Sequence, residues 1–252
     1  IIDLNESFLD KGLLTINKNM RRQVSKGKIS DFNMEDALQK ITASVDMNSL
    51  EPCDIVIEAA TENLNVKKSI FKSINNICNK NTILATNTSS ISIDSLAAVC
   101  NDPSKIIGMH FMNPVPMMSL VEVIRGKKTS SNTEKKIIDA AKKMGKTPVV
   151  CNDSPGFVAN RILIPMINEA ILTYEEGVAT IEAIDQIIIL GMNHPMGPLK
   201  LADLIGLDVV LYICNILHQD FKDEKYRPSK LLIDMVDNGH LGLKSGQGFY
   251  KY

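Results

Sequence analysis

The sequence predicts an α/β fold with a mostly parallel sheet, followed by an all-helical C-terminal domain. Three observations predict it. Residues 53–59 form a largely apolar run around Ile55-Val56-Ile57, the pattern of a strand buried in a parallel sheet, and residues 83–86 and 106–124 add further strand-like runs. Segments of helical periodicity separate these runs. Beyond Pro155-Gly156 the strand-like runs vanish. The boundary is therefore expected where polar residues meet the Pro-Gly pair, dividing the chain into 1–153 and 154–252. At 252 residues and 44% hydrophobic, the chain reads as soluble and globular, with enough mass for one large or two modest domains.

Leu9, Leu13, Ile16, Met20 and Val24 recur at helical spacing, so one amphipathic helix is expected over about 5–26. Its polar side carries Lys18, Arg21, Arg22 and Lys26, with Lys28 just beyond; a basic face of this kind is usually only solvated. Residues 29–52 read as polar and irregular, with a short strand near 41–45. After the 53–59 strand, a helix is expected over about 66–78, with Val66, Ile70, Ile74 and Ile77 on one face. Residues 83–86 form the next strand and 87–90 its loop, and Ser92 can cap the helix beyond it. A helix over about 132–144 stops at Gly145, and 147–151 is the last strand of the first domain.

In the second half, 157–176 reads as a long helix with a kink at Pro165. Thr180 starts another that ends at Gly191. Residues 192–198 form a turn, and Pro198 can open the next helix. His194 in that turn reads better as a structural residue than as a catalytic one. Helices over 207–221 and 228–236 precede a glycine-rich end, 242–250, that carries Lys244. So small and apolar a helical unit has a thin core of its own, and homo-oligomerisation, most simply as a dimer, is expected.

The formal net charge of −1 gives no overall attraction to nucleic acid or to an anionic membrane. Five scattered cysteines without a CxxC pair favour a reduced cytoplasm over a disulfide framework, and no metal site is expected. No apolar run reaches the ~18–20 residues of a membrane span, and no signal peptide is visible.

The chemistry concentrates in 106–124, two strand-like runs around a loop with Pro114 and Pro116. If the runs fold back as antiparallel neighbours, the midpoint between His110 and Glu122 falls at Pro116, and the two side chains face each other. Glu122 would then hold one ring nitrogen, leaving the other to take a substrate proton. A buried structural histidine beside an unrelated glutamate explains the spacing about as well.

The wording of the chain weighs between them. HFMNPVPMMSLVEVI resembles the signature of the L-3-hydroxyacyl-CoA dehydrogenases, most closely the bacterial 3-hydroxybutyryl-CoA branch. IEAATENLNVKKSIF, ILATNTSSISI, DSPGFVANRILIPMINEA, LGMNHPMGPLKLADLIGLD and LGLKSGQGFYKY are similar to further family segments, in order and over essentially all 252 residues. The resemblance implies a Rossmann-like NAD-binding domain and a helical substrate and dimerisation domain. It implies NAD-dependent, reversible oxidation of (S)-3-hydroxyacyl-CoA to 3-oxoacyl-CoA, in fatty acid or butanoate metabolism.

By the same resemblance His110 is the base and Glu122 its partner. Ser89, Asn113, Asn160, Lys26 and Asn19 would contact the acyl-CoA; serine is commoner than asparagine at the position of Asn19. Asp3, Glu62, Lys67, Asn87 and Lys244 would contact NAD, with Asp3 on the adenosine ribose hydroxyls. The family commonly has a basic residue where Leu243 stands. The G-x-G-x-x-G turn that should precede Ile2-Asp3 is not in the sequence, so an N-terminally incomplete Rossmann-like unit is expected. Two rival readings stand beside this one: a sugar-acid dehydrogenase of the L-gulonate type on the same fold, and a non-catalytic dimerising or coenzyme A-binding fragment.

Overall fold

The computed structural model describes residues 1–252. The chain divides into two compact units: residues 1–87 with 93–150, and residues 88–92 with 151–252.

In the first unit the chain opens alongside residues 42–44. The Ile1 ammonium donates to the Thr42 carbonyl at 2.6 Å, and the Ser44 N–H donates to the Ile1 carbonyl at 3.0 Å. Ile2 and Ser44 make a single parallel bridge, so the short strand expected near 41–45 amounts to one rung. Helix α1 (Glu6–Ser25) is capped by Asn5, which accepts the Phe8 N–H, and it buries Leu9 with Leu13, Ile16, Met20 and Val24 half-buried along the expected face. Helix α2 (Asp31–Gln39) corrects the reading of 29–52 as irregular. Ser30 caps it by accepting the Asn33 N–H, but Met34 is its only fully buried residue. A nine-residue helix held by one anchor carries too little periodicity to be seen in sequence.

The sheet runs β1 (Ile55–Glu58), β2 (Ile83–Thr86), β3 (Ile106–Phe111), β4 (Leu120–Arg125) and β5 (Thr147–Asn152), in that spatial order. The β1/β2 and β2/β3 pairs are parallel and β3/β4 is antiparallel. Strand β1 lies at the edge and alternates: Val56 and Glu58 are buried while Ile57 faces out, where a continuously buried strand was expected. Strand β2, inside the sheet, is buried throughout. Gly108 pairs with Ile124, and a Cβ on it would lie 2.8 Å from the Ile124 Cβ, so this approach of β3 to β4 requires glycine.

Helix α3 (Leu64–Ile77) follows β1, α4 (Ile93–Ala97) follows β2, and α5 (Ser131–Lys143) follows β4. The buried face of α3 is Lys67, Phe71 and Ile74, rotated from the face expected from its apolar residues, and Val66 is exposed. A lysine reads as solvent-facing in a pattern argument. Here its ammonium meets Glu58 at 2.8 Å, which permits the burial.

The second unit is helical: α6 (Ala159–Glu175), α7 (Ile181–Met192), α8 (Pro198–Ile205), α9 (Leu207–Phe221) and α10 (Lys230–Asp237). Helix α6 continues through Pro165, and Ile164, Ile167 and Ile171 join Leu199, Val210 and Leu217 in the core. His194 is half-buried in the turn before α8. Two buried carboxylates organise the unit. Asp185 accepts the Leu199 and Lys200 N–H groups at the start of α8 and the Tyr250 hydroxyl at 2.8 Å. Asp203 accepts the N–H groups of Phe249 and Tyr250 and the Tyr252 hydroxyl, pinning the C-terminal segment. Burial, then the Asp203 charge, pushes the Tyr252 phenol up to about 12. A Cβ on Gly248 would lie 1.9 Å from the Asp203 Oδ1, so the glycine here makes room for the carboxylate. No single helix is long and apolar enough to cross a membrane.

Candidate active site

His110 and Glu122 are directly paired residues of the β3/β4 ladder. The loop between the strands turns tightly, with the Met117 and Met118 N–H groups both donating to the Pro114 carbonyl. His110 Nδ1 lies 2.8 Å from Glu122 Oε2, and both side chains are buried. An ionised carboxylate only accepts, so Nδ1 carries the hydrogen and Nε2 carries the lone pair. That is the arrangement of an oriented acid–base catalyst.

The carboxyl ends of the parallel strands carry a second cluster. Glu58, the last residue of β1, is buried. Its carboxylate meets the Lys67 ammonium through both oxygens at 2.8 Å and accepts the Ala60 N–H at 2.6 Å and the Thr86 hydroxyl at 2.8 Å. Lys67 also lies 3.6 Å from Glu62. The Glu58 carbonyl accepts the Asn87 N–H at 2.7 Å, and the Asn87 side-chain oxygen accepts the Phe111 N–H at 2.9 Å. Lys67 is therefore enclosed and held by carboxylates, not presented on a surface, while Glu62 is partly exposed. Asp3 is exposed just past the Ile2–Ser44 bridge and accepts the Leu4 N–H. Sequence reading missed Glu58, which looked like one more residue of a strand; the signal it carried was a charge inside an apolar run.

A cleft of about 320 Å³ brings together Asn19, Lys26 and Asn113. Arg22 and Lys28 add two more cations to its wall, and Val115, Pro116 and Met117 give it an apolar side. Arg22 and Lys28 were legible only as part of a basic face. In the second unit the Asn160 amide donates to the Ser89 carbonyl at 3.2 Å, so those two expected residues are adjacent. Lys244 is engaged elsewhere: its ammonium lies 2.5 Å from both carboxylate oxygens of Asp208.

Residues 1–154 match the family model described as 3-hydroxyacyl-CoA dehydrogenase, NAD binding domain, and residues 156–252 match its C-terminal domain. A relative from Deinococcus radiodurans named "Probable 3-hydroxybutyryl-CoA dehydrogenase" is 54% identical over 99% of this chain and 90% of its own. The 3-hydroxybutyryl-CoA dehydrogenase of Clostridioides difficile is 49% identical over 98% of this chain and 88% of its own. The crystal structure of (S)-3-hydroxybutyryl-CoA dehydrogenase from Ralstonia eutropha superposes with a TM-score of 0.97 at 47% identity, covering all of this chain and 89% of that one. With both of its halves matched in order and its fold shared with solved members, this chain belongs to the 3-hydroxyacyl-CoA dehydrogenase family of oxidoreductases.

Proposed function

We propose that the protein interconverts (S)-3-hydroxyacyl-CoA and 3-oxoacyl-CoA with NAD, with 3-hydroxybutyryl-CoA as a substrate, as its relatives' names indicate. The observation that carries this is the buried His110–Glu122 pair at 2.8 Å. In the oxidative direction His110 Nε2 takes the proton of the 3-hydroxyl group. Glu122 holds the ring by Nδ1 and stabilises the imidazolium that forms. Such help contributes roughly 10² to 10⁴-fold. In the reverse direction the protonated ring returns its proton to the substrate oxygen.

The first unit fits a dinucleotide. Asp3, Glu62 and Asn87 all stand at or just past the carboxyl ends of parallel-paired segments, where open α/β sheets bind such ligands. An exposed carboxylate at Asp3 suits ribose hydroxyls and disfavours a 2′-phosphate. When bound, NAD supplies the acceptor for the hydride leaving carbon 3. Lys67, its own ammonium enclosed, serves the cofactor side through its pair with Glu58 beside Glu62. The cationic cleft of Arg22, Lys26 and Lys28, with Asn19, suits the phosphates of coenzyme A, and Asn113 on the same wall suits the thioester end. Ser89 and Asn160, adjacent in the second unit, supply further hydrogen bonds to substrate, and Lys244 is a cofactor contact by the family resemblance.

The helical unit exposes Ile187, Leu190 and Met192 on α7 and Leu204 on α8, apolar side chains that suit contact with a second copy of the chain. Size measurement in solution tests this: a Leu190→Glu chain should be monomeric where the wild type is dimeric. A cytoplasmic location suits the five cysteines, none of which is in a disulfide. Parallel assays test the reaction. NADH oxidation with acetoacetyl-CoA should exceed NAD reduction with L-gulonate by orders of magnitude. Comparable rates, or the opposite order, would reject the thioester reading.

A further inference from the structure

We infer that Glu58 is a positioning residue for the cofactor side of the site, acting on Glu62 through Lys67. This rests on the NAD-dependent reading above. Nothing in an apolar strand of a parallel sheet calls for a carboxylate, and burying one is costly unless its oxygens are paired. Glu58 meets that condition with the Lys67 ammonium, the Ala60 N–H and the Thr86 hydroxyl. The partners are not scattered. Ala60 begins the loop that leads to Glu62, Lys67 lies in α3 beyond that loop, and Thr86 ends the neighbouring strand just before Asn87.

Charge arithmetic gives the pairing its consequence. Lys67 grips Glu58 through two 2.8 Å contacts and stands 3.6 Å from Glu62, beyond hydrogen-bond length. Glu58 neutralises the cation, so Lys67 does not pull Glu62 inward. Without the Glu58 charge, Lys67 is a buried ammonium with Glu62 as its nearest anion. It then closes on Glu62, and the loop that presents Glu62 is drawn toward α3. A merely structural ion pair predicts something different: loss of stability, and no selective loss at the cofactor.

The test uses the full chain as wild type, Glu58→Gln, Lys67→Met and the Glu58→Gln/Lys67→Met double variant. NADH affinity is measured by fluorescence titration, stability by thermal melting, and KM separately for NADH and acetoacetyl-CoA. Glu58→Gln should weaken NADH binding about tenfold or more and leave KM for acetoacetyl-CoA within about twofold. The double variant removes both buried charges, and with Lys67 gone nothing draws Glu62 toward α3, so it should melt close to wild type and bind NADH within about threefold of wild type. Should Glu58→Gln fail to fold, Glu58→Asp, which keeps the charge but shortens the reach to Lys67, takes its place and should weaken NADH binding in the same selective way. Wild-type NADH affinity in Glu58→Gln, NADH binding in the double variant as weak as in Glu58→Gln, or equal losses for both substrates, would overturn the assignment. A wild-type chain that binds no NADH would instead overturn the NAD-dependent reading on which it rests.

Discussion

Glu122→Gln isolates the charge in the proposed acid–base pair. The side chains are near-isosteric, so packing around a residue this buried is retained. The structure sets the magnitude. His110 Nδ1 and Glu122 Oε2 are 2.8 Å apart, with side chains only 8% and 5% exposed. An imidazolium and a carboxylate with charge centres about 4 Å apart, at an effective dielectric near 20, attract by about 4 kcal/mol. The amide keeps a neutral hydrogen bond worth about 1 kcal/mol. A difference of about 2–3 kcal/mol therefore falls on the state in which the ring gains its proton, and little of it on the neutral ground state. At 1.36 kcal/mol per tenfold, kcat should fall roughly 30- to 150-fold. The assay is steady-state NADH oxidation by acetoacetyl-CoA, with NADH affinity titrated separately and expected to stay at the wild-type value. A folded Glu122→Gln protein with kcat within about threefold of wild type would refute the claim that this carboxylate stabilises the imidazolium.

The same geometry sets other outcomes. His110→Gln should lose turnover by roughly 10²-fold or more while still binding NADH, as seen by single-turnover kinetics beside a titration. Replacing Arg22 and Lys26 together by alanine should raise KM for acetoacetyl-CoA roughly five- to thirtyfold with kcat unchanged. That effect should shrink in high salt, and a salt-independent KM would contradict the ionic reading of the cleft. Gly248→Ala places a Cβ 1.9 Å from Asp203 Oδ1 and 2.7 Å from the Gly242 Cα, so unfolding free energy should drop by about 1–3 kcal/mol in urea melts. The Tyr252 phenol holds its proton longer folded, to about 12, than the ordinary 10.0, so its contribution is complete below pH 10 and lost as pH rises toward 12. Melting temperatures over that interval should fall less steeply in Tyr252→Phe than in wild type.

The elements with strong local patterning were legible from the chain alone. The face of α1 follows Leu9, Leu13, Ile16, Met20 and Val24, and α7 and α8 begin where Thr180 and Pro198 place them. The His110↔Glu122 register was legible too, because the partners are separated only by a short proline loop whose midpoint sets the fold-back. Where the signal is weak, reading failed: α2 rests on Met34 alone, and the strand expected near 41–45 shrinks to one bridge.

Sequence by itself determined most of the strands and helices, the division into a sheet-bearing half and a helical half, and the one histidine with a carboxylate in register. Those depend on period and short-range spacing, which a linear chain displays. Tertiary structure alone decided that Glu58 and Lys67 are buried together, that Lys244 is held by Asp208, that Asp203 anchors the tail, and that Arg22 and Lys28 share a cleft with Val115 and Met117. A charge can leave water only where a partner from elsewhere in the chain arrives to meet it, and no local pattern records that arrival.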